Sequence, residues 1–496
     1  MINITNISKH PFAQYSAEEE IDLEAIFYEQ QYYSELLELT KNGVSRFILG
    51  QRGQGKSATI HHLMNDLKES NILTILIRRY DDFPEKNNKA YYLYSMIQGI
   101  IFELAKHLYA NSKLLKKLDK VKKNELGILI EAFYDEWLAE EFLKNSTQIK
   151  RIKTENFIKK LWNNIIVKLA NTGTTIIAKI TSQTILQHLG IVIDPSISDH
   201  EYFQNVKYSE IRQISKNKMV LWPTERFIKI LQDLIKTSKT VGFNSIVVLY
   251  DQIDEVKSIN SDINKVADFM EDLLSDTNLL YTHDLFIVIS LWSEIKPKLN
   301  SKNIRFDKFK EIDIRWKNEE LKKLLDKRLY FYSANKHKAV TFASLVPKED
   351  DQNTILNLAG GSPRALLTLM SYIMSEEENN TNINEFSNNA ISKGCMTFCK
   401  KFDYISLQPS RTGKSNDLMS WINKTLRLRL ITFTSKQYGD FYKELNAKTI
   451  NSHINHMQKL NIIKDRLIPS EDGTPTYQVV DPRIIHLIER GILELD

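Results

Sequence analysis

Residues Gly50, Gln51, Arg52, Gly53, Gln54, Gly55, Lys56 and Ser57, followed by Ala58, spell G-x-x-x-x-G-K-S-A. The chain has only 16 glycines among 496 residues, yet three of them fall in this short stretch. The pattern suits a phosphate chain. Glycines let a loop wrap closely around phosphate oxygens and aim backbone N–H groups at them, and some of these positions need positive φ. Lys56 would bring a mobile cation to the β- and γ-phosphates, and Ser57 a hydroxyl to Mg²⁺. The cofactors this implies are ATP and Mg²⁺.

A second set of residues would complete that chemistry. "SIVVLYDQIDEV" ends an apolar run in Asp251, an oxygen ligand for Mg²⁺ either directly or through water. Asp254 and Glu255 follow on the exit turn, and one of them would polarise an attacking water. Ser290 closes another apolar run, "LFIVIS", where a residue sensing the γ-phosphate or the water would sit; a plain strand-ending serine gives the same signal. In "LAGGSPRALLTLM", two glycines permit a tight turn and Pro363 suits a helix start. Arg364 then projects from that start toward a phosphate. A second Gly-Lys-Ser, in "SRTGKSN", has Gln408 where the first glycine should be and no strand before it, so it reads as a polar loop.

These side chains need elements to hold them. "RFIL" before the glycines reads as a buried parallel strand, and "SATIHHLMNDL" after them as a helix with Ile60, Leu63, Met64 and Leu67 on one face. That order of strand, loop and helix is what a phosphate-binding loop requires. "ILTILIRRYDD", "SIVVLY" and "LFIVIS" are further strands alternating with helical stretches, the pattern of an α/β fold with a parallel sheet.

Composition sets the frame. Hydrophobic residues make up 42% and charged ones 26%, ordinary for a globular chain of several domains, and the net charge of +5 is too mild to imply nucleic acid by itself. Cys395 and Cys399 stand at helical spacing with no histidine nearby, so they read as buried thiols rather than a zinc site. The N-terminal stretch lacks the basic-then-apolar order of a signal peptide. The most apolar stretch, Thr174 to Ile193, is interrupted by Lys179, Gln183 and His188 and reads as a buried helix, with no membrane span. The expectation is a cytoplasmic protein.

Taken in chain order, these motifs resemble the AAA+ and STAND branches of P-loop ATPases, and within them the origin-recognition-type, replication-initiator-like ATPases of prokaryotes. "GQRGQGKS" matches their Walker A, "VVLYDQIDE" their Walker B, "FIVIS" their sensor-1 strand and "LAGGSPRALLTLM" their sensor-2 helix, while "IDIRWKNEELKKLLDKRL" resembles the entry to their helical lid. The resemblance implies a P-loop core with a parallel sheet, a large helical insertion, a helical lid and a C-terminal winged helix. The corresponding stretches are 1–89 for an N-terminal segment and the first half of the core, 90–220 for the insertion and 221–310 for the second half of the core. They continue with 311–406 for the lid, 407–416 for a linker and 417–496 for the winged helix. The resemblance also implies an arginine reaching a neighbour's nucleotide, for which Arg305 in "NIRFDKF" is best placed and Arg315 second. One departure matters: initiator ATPases carry glutamate after the Walker B aspartate, and this chain has Gln252, an amide that takes no proton. The acids at Asp254 and Glu255 look like the NACHT-type STAND pattern instead, and slow turnover is in keeping with it.

The insertion and the C-terminus bear on partners. Helical periodicity fills much of 90–220, and a lysine-rich run, Lys113 to Lys123, reads as a solvated helix face rather than a nucleic-acid contact. After residue 416 come three helical stretches, then a hairpin turning at Asp472-Gly473, then a helix with Asp481 as N-cap and Pro482 at its first position. This is the winged-helix order. Its third helix offers Lys448, Asn451, Asn455 and Lys459, with Arg466 near the wing, for duplex DNA. A winged helix packed inward as an internal lid is the other reading.

Two functions remain. One is an ATP-binding and ATP-hydrolysing module that couples nucleotide state to DNA binding or to self-assembly into a homo-oligomer, in genome maintenance or defence against phage. The other is a nucleotide-dependent signalling scaffold that recruits a separate effector protein through the insertion and binds no DNA.

Overall fold

A computed structural model describes residues 3–134, 182–194, 220–256, 259, 262–302, 304, 310–377, 382–407, 415–443, 445–466 and 474–495. At its centre is a five-stranded sheet, all parallel. The strands are β1 (Arg46–Leu49), β2 (Ile72–Ile77), β3 (Ser245–Tyr250), β4 (Leu285–Leu291) and β5 (Lys310–Asp313), in the spatial order β2-β3-β4-β1-β5.

Alternation along each strand explains why the sheet is apolar on both sides. Ile48, Val247, Leu249 and Val288 face one layer, where they meet α1 (Tyr32–Lys41) and α2 (Lys56–Glu69) through Leu36, Ile60, Leu63 and Leu67. Phe47, Leu49, Ile246, Val248 and Tyr250 face the other layer. That layer holds α3 (Lys89–Ala110), α4 (Lys120–Phe133), α5 (Ser182–Leu189), α6 (Thr224–Val241) and α7 (Ile263–Leu274). The α/β class expected from the sequence is therefore the fold observed.

Two expectations change here. The stretch assigned to an insertion from residue 90 begins with α3, which packs directly on β2 and α6 as a layer of the core. The first residues assigned to the lid, 311–313, complete β5. Strand β5 is an edge strand reading Lys-Glu-Ile-Asp, so only Ile312 carries the apolar signal of a buried strand. The lysine-rich run splits in two at Asp119, whose carboxylate caps α4 by accepting from the Lys122 N–H at 2.7 Å. Most of the apolar stretch 174–193 lies outside the described residues. Its end forms α5, with Ile185, Leu186 and Leu189 buried and Gln187 and His188 exposed. Among the described residues no helix is long and apolar enough to cross a membrane.

Beyond β5 come α8 (Asn318–Tyr332), α9 (Glu349–Ala359), α10 (Pro363–Ser375) and α11 (Asn388–Lys401). The C-terminal part holds α12 (Ser415–Leu428), α13 (Ser435–Phe441), α14 (Ala447–Lys459) and α15 (Pro482–Glu489). Helix α12 starts inside the polar stretch 407–416, whose central residues, with the second Gly-Lys-Ser, lie outside the described part. A small antiparallel sheet, β6 (Thr432–Thr434), β7 (Ile463–Arg466) and β8 (Thr476–Val479), has the order β6-β8-β7. The wing strands expected from the sequence are β7 and β8; their turn at Asp472-Gly473 lies outside the described residues, and β6 was not anticipated. Asp481 caps α15 by accepting from the Arg483 N–H at 2.8 Å, with Pro482 at the first position. One continuous apolar cluster joins α8 to α11 with α12 to α15; it includes Leu325, Leu366, Cys395, Cys399, Trp421 and Leu487.

Candidate active site

The glycine-rich loop springs from the end of β1. The Gly50 N–H bonds to the Leu291 carbonyl of β4 at 3.2 Å, which fixes where the loop begins. Gly53 and Gly55 have φ of +80° and +91°, a region that side chains rarely occupy, and Gly55 caps α2. Gln54 turns inward, so that its Oε1 accepts from the Gln51 N–H at 2.6 Å. The Lys56 ammonium bridges the loop by donating to the Gly50 and Gln51 carbonyls at 2.9 and 3.1 Å. Burial lowers the Lys56 pKa from its ordinary value, opposed first by Asp254 and then by Asp251 and Glu294.

Asp251, at the end of β3, is 1% exposed and accepts at both oxygens. Oδ1 takes the Ser290 hydroxyl at 2.5 Å, and Oδ2 takes an Arg78 guanidinium N–H at 3.1 Å. Ser290 is therefore buried against Asp251 and does not line the cleft. Arg78 also lies 2.5 Å from His61 Nε2, and burial together with that guanidinium drives His61 down to about 4, leaving it neutral. After Asp251 the chain turns through Gln252 in the left-handed region, with φ of +61°. Asp254 is buried, and Glu255 pairs with Arg52 across 3.7 Å. Burial and the adjacent Asp254 hold the Glu255 carboxyl above its usual range.

A cleft of about 1090 Å³, its mouth included, opens between these elements. Arg52, Gly53, Gly55, Lys56, Ser57, Ala58, Asp251, Asp254, Glu255 and Arg364 all line it. Gly50, Gln51 and Gln54 belong to the same loop behind that wall. Arg364 arrives on the first turn of α10, where Pro363 holds the first helical position and Ser362 caps the helix through the Ala365 N–H at 3.2 Å. The cap of α10 touches the loop directly, with the Ser362 hydroxyl donating to the Gly53 carbonyl at 3.2 Å. The Trp316 indole donates to the Gln54 carbonyl at 2.9 Å. Arg305 lies outside the described residues, and Arg315 is exposed and paired with Asp313.

The other half of the cleft was missed in the sequence. Residues 14–32 run along it as a strap, with Tyr15, Leu23, Ile26, Phe27, Tyr28 and Tyr32 lining the cleft together with Trp316, Leu324 and Leu367, and the Tyr28 and Trp316 rings lie 6.0 Å apart. The strap is well fixed. Arg328 of α8 donates to the Gln14 carbonyl at 2.9 Å and pairs with Glu20, which also accepts from the Tyr332 hydroxyl at 3.0 Å. His62 of α2 is stacked on Phe27 and sits 2.7 Å from Glu24. Burial and the nearby Glu320 push Tyr32 up to about 12, and its hydroxyl shares a hydrogen bond with Thr59 at 3.0 Å. The aromatic density of "FYEQQYY", Phe27 to Tyr33, was the only hint available. The cleft thus has a polar floor with cations and carboxylates and an aromatic, aliphatic wall, which suits a phosphorylated ligand with a flat apolar part.

No described protein family matches the chain, and no curated protein matches it. Solved structures do. The Aeropyrum pernix ORC2 protein, in its ADPNP–ADP complexes, is 11% identical over 96% of this chain and 98% of that one, with a TM-score of 0.42. Cdc6p from Pyrobaculum aerophilum is 11% identical over 97% and 98%, with a TM-score of 0.35. The Aeropyrum pernix ORC1 protein in complex with DNA is 10% identical over 95% and 96%, with a TM-score of 0.33.

Proposed function

We propose that this chain binds and hydrolyses ATP and couples its nucleotide state, through the lid, to DNA binding or assembly. The observation that carries the reading is one cleft into which a glycine loop with Lys56, the carboxylate of Asp251 and the lid arginine Arg364 converge from three separate elements. The strap and lid aromatics would take the base, and the loop N–H groups and the positive end of α2 the phosphates. Lys56 would exchange two backbone carbonyls for phosphate oxygens, a stronger partner for an ammonium. The residues present fit Mg²⁺: Ser57 and Asp251 are oxygen donors on the same cleft. When bound, the ion would neutralise phosphate charge. Arg364, on a helix that touches the loop, would report an occupied γ-position to the lid.

For DNA, the outer face of α14 is polar and open. Lys448, Asn451, Asn455 and Lys459 are exposed there, as is Arg466 on β7, while Ile454 and Met457 anchor the inner face. Such a surface suits phosphate positioning with base-edge contacts. Residence in the cytoplasm, and a role in genome maintenance or defence against phage, remain part of this reading.

Nucleotide titration and ATP turnover of the full chain, with and without duplex DNA, test the proposal. The wild type should bind ATP and turn it over slowly, and Lys56→Ala should lose both. An unaltered Lys56→Ala protein would refute the site. ATP binding with no affinity for DNA at low salt would instead favour the scaffold that recruits a separate effector.

A further inference from the structure

Arg52 brings a guanidinium to the cleft from within the glycine-rich loop. It lines the cleft together with Lys56 and Arg364. A further cation on that wall, Arg328, is committed to Glu20 and to the Pro11 and Gln14 carbonyls. Arg52 carries no such commitment. Its ion pair with Glu255 spans 3.7 Å from Nη2, longer than a hydrogen bond. Its Nη1 is buried and has no hydrogen-bond partner among the described residues. A guanidinium keeps its proton in proteins, so a buried N–H of this kind lacks both water and an acceptor. An anionic oxygen from a ligand in the cleft would satisfy it.

Position says which anion. The backbone on either side of Arg52 is fixed. The Gly50 N–H is tied to the Leu291 carbonyl, and the Gly53 carbonyl accepts from both the Ser362 hydroxyl and the Arg364 N–H. In a loop of this kind the N–H groups cradle the inner phosphates, and the lysine reaches the outer two. The Lys56 ammonium rests on the Gly50 and Gln51 carbonyls, directly before Arg52 in the chain. Asp254 acts on that ammonium and the adjoining Glu255 on Arg52, so both cations face the same exit turn after β3. Arg52 therefore accompanies the lysine at the outer end of the phosphate chain. Arg364 meets the site from α10, whereas Arg52 belongs to the loop itself and is present wherever that helix stands.

We propose that Arg52 is the residue that tells a nucleoside triphosphate from a diphosphate in this chain, its guanidinium donating to the terminal phosphate. This rests on the nucleotide reading above. With a triphosphate, Arg52 exchanges a carboxylate at 3.7 Å for a phosphate oxygen at hydrogen-bond distance, the stronger partner. A diphosphate ends one phosphate short and leaves the Arg52–Glu255 pair in place.

The test measures, by titration calorimetry in one Mg²⁺ buffer, the affinity of the full chain for ADP and for the non-hydrolysable β,γ-imido analogue of ATP. The variants are Arg52→Gln, Arg52→Lys and Lys56→Ala. Arg52→Gln should weaken the ATP analogue about tenfold to a hundredfold, the worth of one hydrogen bond to a charged group, and ADP less than about threefold. Retained ADP binding also reports that the variant folds. Arg52→Lys keeps the charge and loses the planar fork, so it should recover part of the analogue's affinity. If the glutamine variant loses its fold, the lysine variant carries the test: its preference for the analogue over ADP should still fall by at least about threefold. Equal losses for both nucleotides in a folded variant, or an unchanged affinity for the analogue, would overturn the proposal. Lys56→Ala separates the levels. Unaltered binding in Lys56→Ala would remove the nucleotide site and this proposal with it, whereas binding lost there and unchanged in Arg52→Gln would remove the Arg52 assignment alone.

Discussion

The backbone N–H of Arg364, the second residue of α10, donates to the carbonyl of Gly53 in the glycine-rich loop at 3.3 Å. Helix α10 is thus bonded to the loop backbone itself, at a residue with φ of +80°. A Cβ at Gly53 would lie 2.7 Å from the Ser362 hydroxyl and 3.2 Å from the Arg364 Cβ. Gly53→Ala should therefore cost about 1–2 kcal/mol from the left-handed backbone alone, read by chemical denaturation. It should also free the lid, seen as faster amide exchange across Pro363–Ser375 with little change elsewhere.

Asp251 is held on both oxygens, which makes its neighbours testable. Ser290→Ala removes the donor to a buried carboxylate and should destabilise the fold by about 1–3 kcal/mol in denaturant titration. Asp251→Asn should keep part of the nucleotide affinity and lose Mg²⁺-dependent turnover. Retained turnover in Asp251→Asn would move the metal ligand elsewhere.

His62 makes the strap sensitive to pH. Burial opposes its charge, but the hydrogen bond to Glu24, with Asp66 and Glu29 nearby, outweighs this and raises its pKa above 6.5. A group whose folded value is raised stabilises fully below the unfolded value and loses that contribution as pH climbs through the folded value. The melting-temperature advantage of wild type over His62→Gln should be largest below about pH 6.5 and shrink above it. An advantage that grows with pH would contradict the pairing.

Arg328 and Glu20 form a buried pair, with side chains 6% and 3% exposed. Arg328→Ala strands the Glu20 carboxylate and the carbonyls of Pro11 and Gln14 and should cost about 3–5 kcal/mol. Glu20→Gln in the same background should recover part of the loss, because the stranded charge is removed. Urea denaturation of the single and double variants measures both.

The α14 face is best probed by salt. If Lys448 and Lys459 contact phosphates, replacing both with alanine should weaken duplex binding for all sequences and flatten the slope of log affinity against log salt by about 2. An unchanged slope would place the DNA contact, or its absence, elsewhere.

The glycine-rich loop and four strands were legible because their signals are local. Spacing defines the glycines around Lys56, and strands buried on both faces, such as Ile246–Leu249, read as unbroken apolar runs. Strand β5 was missed because an edge strand carries charged residues on its open side. The strap was missed for a different reason: Gln14, Glu18 and Tyr28 meet partners hundreds of positions away, Arg328, Gln252 and Trp316 in turn, and no local pattern encodes those meetings. Helix α3 read as an insertion because its contacts with β2 and α6 depend on topology rather than on its own periodicity. Arg78, next to Asp251 only through strand pairing, gave no sequence signal for the same reason.

The apolar cluster running without a break from Leu325 to Leu487 has a mechanical meaning. It packs the helix that carries Arg364 and the helix that carries Lys459 into one core, through Leu366 and Met370 on the first and Ile454 and Met457 on the second. Were these helices to move as one body, a small tilt beside Gly53 would carry the exposed face of α14 with it.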